Sequence, residues 1–133
     1  MKRIAALIGV ASLVAACGSR STAVPDRFSG RWTLSDGRTI AIRSVGEHEG
    51  RAAVEALGGR PCSQHARYYR STYFGGVARM AGCATGDGKV VHSRFNDRGI
   101  TGSLTMRWQS RDRFVAVVHG DGHAPFNVVA VRR

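Results

Sequence analysis

Lysine is almost missing from this chain: Lys2 and Lys89 are the only two, and arginine supplies the rest of its 20 basic residues. Acid is also scarce, 9 Asp and Glu leaving a formal charge of +11. Arginine richness in part follows the codon usage of a GC-rich genome and is not by itself a sign of phosphate recognition. The excess over acid is a different matter, because it predicts attraction to anionic surfaces that weakens with salt. Three prolines are too few for a proline-rich linker, and three cysteines are too few for a disulfide-dense scaffold. No apolar run approaches the roughly 20 residues of a membrane-spanning helix. The motifs G-x-S-x-G, H-E-x-x-H and the P-loop are absent, so neither an enzyme nor a bound cofactor is expected. At 133 residues the chain has room for one domain, which excludes a large multidomain enzyme. Its 43% apolar and 22% charged content is that of a sequence that folds.

What is present begins at the N-terminus. Lys2 and Arg3 precede an apolar stretch over residues 4–14, followed by the small residues Ala15 and Ala16. That order is the pattern of an export signal. At about 1.5 Å per residue the stretch is too short to cross a hydrocarbon layer about 30 Å thick, so cleavage is expected. Val14-Ala15-Ala16-Cys17 resembles a bacterial lipobox. The resemblance implies that residues 1–16 are removed, that Cys17 is acylated and becomes the first residue, and that two or more acyl chains anchor the protein. Losing Lys2 and Arg3 lowers the charge of +11 to +9. Gly18, rather than Asp, follows Cys17, which points to the outer membrane of a bacterial envelope, with the protein facing the periplasm. Residues 17–27 read as the lipidated cysteine and a flexible tether, and residues 28–133 as a single domain.

Within that domain the dominant pattern is alternation. Leu104, Met106 and Trp108 point one way while Ser103, Thr105 and Arg107 point the other, which is the period of a half-buried strand. Trp32 and Leu34, then Ile40 and Ile42, repeat it around the turn Ser35-Asp36-Gly37. Further strands are expected at 51–57, 67–74, 77–81, 89–95, 113–119 and 126–132, separated by glycine-bearing turns; residues 52–57 could also form a helical turn, but the stretch is short and closely flanked by glycines. Short strands at regular spacing predict an all-β fold, a small antiparallel up-and-down barrel with a β-sandwich as the alternative. The expected core is Trp32, Leu34, Ile40, Ile42, Val54, Leu104, Met106, Trp108, Phe114 and Val128.

Three constellations carry chemistry. Cys62 and Cys83 are an even pair in an exported chain and read as a disulfide, with the C-x-x-H spacing of Cys62 and His65 as a weaker metal alternative. His119-Gly120-Asp121-Gly122-His123 could offer a metal three ligands, joined by His65 or His92, but reads more simply as a hairpin turn, so no metal site is assigned to His119, Asp121 or His123. Arg67, Tyr69, Arg70 and Tyr73 interleave cations with aromatics and are candidates for gripping an anionic or carbohydrate ligand.

Ser29-Gly30-Arg31-Trp32 is similar to the G-x-W opening of lipocalin-like barrels, in which the Trp packs across the bottom of the barrel. The wider stretch Ser29-Gly30-Arg31-Trp32-Thr33-Leu34, with Val131-Arg132-Arg133 at the other end, resembles small bacterial metalloprotease inhibitors of that architecture. The resemblance implies a barrel and, as one option, inhibition of a periplasmic or secreted protease. Such inhibitors use a free N-terminal segment and place their disulfide nearer the first strands, whereas here Cys17 is the expected anchor. The expected function is therefore non-enzymatic binding of an amphiphile or an anionic envelope component, such as anionic lipid or lipopolysaccharide. Inhibition, and a place as a structural subunit of an envelope assembly with an envelope protein as partner, are the alternatives, and nucleic acid is a poor candidate for an exported chain.

Overall fold

A computed structural model describes residues 23–63, 65–73 and 78–133, without the side chain of Tyr73. The expected export signal, the lipobox-like residues and Cys17 lie outside the described residues. Eight antiparallel strands close into one barrel in sequence order: β1 (Gly30–Leu34), β2 (Thr39–Val45), β3 (Arg67–Tyr73), β4 (Ala78–Ala84), β5 (Val90–Asp97), β6 (Ile100–Ser110), β7 (Arg113–Gly120) and β8 (Phe126–Arg132). The fold is thus the up-and-down barrel and not the sandwich. Closure is made by β1 against β8, with Trp32 opposite Arg132 and Leu34 opposite Ala130.

Alternation decides what fills the interior. Trp32, Ile40, Ile42, Met106, Phe114 and Val128 are buried as expected, with Leu34, Leu104 and Trp108 packed against them. Tight turns keep the register. Between β5 and β6 only Arg98 and Gly99 intervene, both at positive φ (55° and 92°), as a two-residue hairpin turn demands.

The expected strand at 51–57 is instead part of the helix α1 (Glu47–Ala56) between β2 and β3. Gly50 and Val54, one turn apart, form its buried side, and Val54 joins Tyr68, Ala81 and Cys83 in a second core on the outer wall of the barrel. Glu47 and Glu49 in the first turn suit the helix dipole. Only three residues lie between the two buried positions, too short a pattern to reveal the 3.6-residue period in the sequence. Cys62 and Cys83 are bonded, Cα to Cα 6.1 Å, fastening the segment after α1 to β4. A loop of that length is stabilised by about 3 kcal/mol. Among the described residues no helix is long and apolar enough to cross a membrane.

The folded part also starts earlier than residue 28. Val24 is buried in the main core, Arg67 donates to its carbonyl at 2.7 Å, and Asp26 accepts from the Tyr69 hydroxyl at 3.0 Å. Residues 24–27 therefore belong to the domain rather than the tether. They bind through long-range contacts that no local pattern announces.

Candidate functional site

Up-and-down connectivity gives the barrel two unlike ends. At one, the incoming segment and the β2–β3, β4–β5 and β6–β7 connections meet. Phe28 fills this end, its ring 5.4 Å from Phe114 and 5.8 Å from Tyr69, while Phe114 lies edge-on to Trp32 at 4.7 Å. Trp32 Nε1 donates to the Phe28 carbonyl at 2.8 Å, and the Arg132 guanidinium covers the outer side of the indole at 4.2 Å. Arg132 also donates to the carbonyls of Arg111, Ser29 and Arg27. These contacts close the pole.

Among the described residues the opposite end is open. A cavity of about 470 Å³ enters there, walled by Leu34, Ile40, Met80, Phe95, Leu104 and Met106 and floored by Phe114 and Ala116. That volume is in the range of small-molecule sites, about 300–1,000 Å³. Small residues of β7 make the room: Gly120 lines the wall and Ala116 the floor. Arg38, Asp97 and His123 sit among the lining residues with the apolar Ile100 and Phe126, which are 55% and 53% exposed. Arg38 is paired with Asp36, and Arg98 with Asp97 at 3.2 Å. An apolar chamber with a few polar groups at its mouth can take the tail of an amphiphile and leave its head in water.

The sequence-derived candidates fall elsewhere. Arg67, Tyr69 and Arg70 do not make one surface, because Arg70 faces the opposite side of β3 from Arg67 and Tyr69. Tyr69 is fully buried. Burial, and then the negative charge of Asp26, push its hydroxyl up to about 12. Arg67 reaches Val24 and Ser44, so both residues hold the closed pole together. Arg70 lies on the outer wall, 3.0 Å from Glu49, which also meets Arg43 at 3.2 Å; the bond from Arg70, with help from Arg43, holds the Glu49 carboxyl below its usual range. The Tyr73 backbone pairs with Ile40 and Ala78.

His119, Asp121 and His123 flank the turn joining β7 to β8, where Gly122 has φ 80°. The Asp121 carboxylate accepts from Thr101 Oγ1 at 2.7 Å and from Arg94 at 3.4 Å, and these partners hold it below the usual carboxylate range. Among the described residues no three His, Cys, Asp or Glu side chains converge as metal ligands. His123 is the one of the three that reaches the cavity. Met80, Phe95, Ile100 and Phe126 were not among the expected core or site residues, although extending the alternation along β5 and β6 would have reached Phe95 and Ile100. The chain matches no family model, no curated protein and no solved structure.

Proposed function

We propose that this chain is a lipid-anchored protein of the bacterial envelope whose barrel binds a small amphiphile through its open end. The observation that carries the reading is the blind apolar cavity, lined by Leu34, Ile40, Leu104, Met106, Phe114 and Val128. A barrel filled by its own side chains, with one apolar patch outside, would instead favour a protein partner, as inhibition or a structural role requires. Anchoring follows from the lipobox-like residues before Cys17 and not from the barrel.

Two measurements test the two halves. An environment-sensitive apolar dye such as N-phenylnaphthylamine should brighten on entering the cavity and be displaced by a single-chain amphiphile. Ala116→Phe, which puts a ring into the floor, should weaken dye and amphiphile by at least about tenfold while the protein stays folded. Unchanged binding in that variant would remove the cavity from the account. For the anchor, the intact mass of the exported chain should show acyl groups on Cys17 that are lost in Cys17→Ala; an unacylated wild type would overturn it.

A further inference from the structure

The charge of the barrel is unevenly placed. Around the open end three of the arginines are matched by acids: Arg38 with Asp36, Arg98 with Asp97 and Arg94 with Asp121. The closed pole is different. Lys89, Arg107, Arg111 and Arg113 are all exposed on or next to the connections that meet there, and Arg27 lies among them. Of the acids nearest them, Asp26 accepts from Tyr69 and the Ser29 backbone, the exposed Asp87 accepts from the Lys89 backbone N–H at 3.0 Å while its carbonyl accepts from Arg27 at 2.7 Å, and Asp112 faces Arg132 at 4.0 Å, so the basic residues outnumber them.

At the centre of this basic region is Trp108, partly buried, with the Arg27 guanidinium 4.6 Å and the Lys89 ammonium 5.7 Å from its ring. An indole framed by cations is suited to the boundary of a bilayer, where the ring sits at headgroup level and the cations meet phosphates. The chain itself enters the described residues at this pole, at Ala23. From Cys17 to Ala23 an extended chain reaches at most about 21 Å.

We infer that the closed pole is a docking face for an anionic phospholipid bilayer, with Trp108 at the headgroups and the cavity opening away from that membrane. This rests on the reading of the protein as membrane-anchored and adds an orientation to it. Cargo would then be exchanged with the aqueous space or with a facing surface, not with the bilayer that holds the anchor.

The test uses residues 23–133, which contain every strand of the closed barrel, α1 and the disulfide, and which lack Cys17, so that only the face is read. Vesicles of phosphatidylcholine, with and without a third of phosphatidylglycerol, are titrated while tryptophan emission is followed. Trp32 is fully buried, and Trp108→Phe identifies the signal that responds. Emission should shift to the blue on anionic vesicles only, and the binding should fade as salt is raised. Lys89→Glu, Arg111→Glu and Arg113→Glu together should weaken partition on the order of a hundredfold. Arg79→Glu, near the open end, should leave it within about twofold. Equal binding to neutral vesicles, a triple variant that still binds, or equal damage from Arg79→Glu would each overturn the docking face. Failure here leaves acylation of Cys17 untouched, since the intact mass decides that separately.

Discussion

Tyr69 shows how one hydroxyl ties the incoming chain to the barrel. It donates to Asp26 at 3.0 Å and accepts from the Arg27 backbone at 3.2 Å. Its pKa is raised from 10.0 to about 12, first by burial and then by the charge of Asp26. A group that ionises later in the folded state stabilises it fully below its unfolded value and loses that contribution as pH rises through the folded one. Stability should therefore fall between pH 10 and about 12. Tyr69→Phe should cost about 1 kcal/mol at neutral pH and flatten this alkaline limb, as followed by urea unfolding. An unaltered limb would assign it to other groups. Asp26 behaves in the opposite sense: burial works against its carboxylate, but bonds from Ser29 and Tyr69 and the charge of Arg67 outweigh it and lower its pKa. Its contribution is present above the ordinary carboxylate range and is lost as pH falls through the lowered value.

The helix is the element in which local preference and tertiary contact disagree. Alanine at position 50 would favour α1 by about 1 kcal/mol over glycine. A Cβ there would stand 2.2 Å from Tyr68 Cβ and 2.4 Å from its Cγ, atoms too close to the β3 backbone to move aside. Overpacking of this kind costs about 1–3 kcal/mol, so Gly50→Ala should be net destabilising in thermal unfolding despite the better propensity. A stabilised variant would mean that α1 can slide along the wall. Glycine at position 50 thus sets how closely α1 lies on the barrel, and the bond from Cys62 to Cys83 closes the same region.

At the scale of the whole molecule, barrel closure and the plug depend on Arg132. Its guanidinium lies over Trp32 and donates to the carbonyls of Arg111, Ser29 and Arg27, joining the last strand, the turn between β6 and β7 and the incoming segment. An ammonium has neither the planar fork nor the flat face to reproduce this. Arg132→Lys should keep the charge and still lose about 2–3 kcal/mol, measured by denaturant midpoint. A midpoint equal to that of the wild type would show that charge alone suffices. Because this pole is sealed, the cavity is reached from the opposite end among the described residues.

Alternation made the barrel legible: Trp32, Ile40, Ile42 and Met106 identify an inner face because period 2 is a property of the backbone and needs no partner. The pairing of Cys62 with Cys83 was legible for a similarly simple reason, two cysteines remaining once Cys17 is set aside as the expected anchor. Helix α1 was not, since its buried side is only Gly50 and Val54 and its position depends on Tyr68 across the gap. The candidate site was legible only as its walls. Whether Leu34, Leu104 and Phe114 fill a barrel or leave a chamber depends on how eight inner faces sum around a ring. Position along the chain determined which residues face inward; the space left between them, and the burial of Tyr69 against Asp26, arose only when distant segments met.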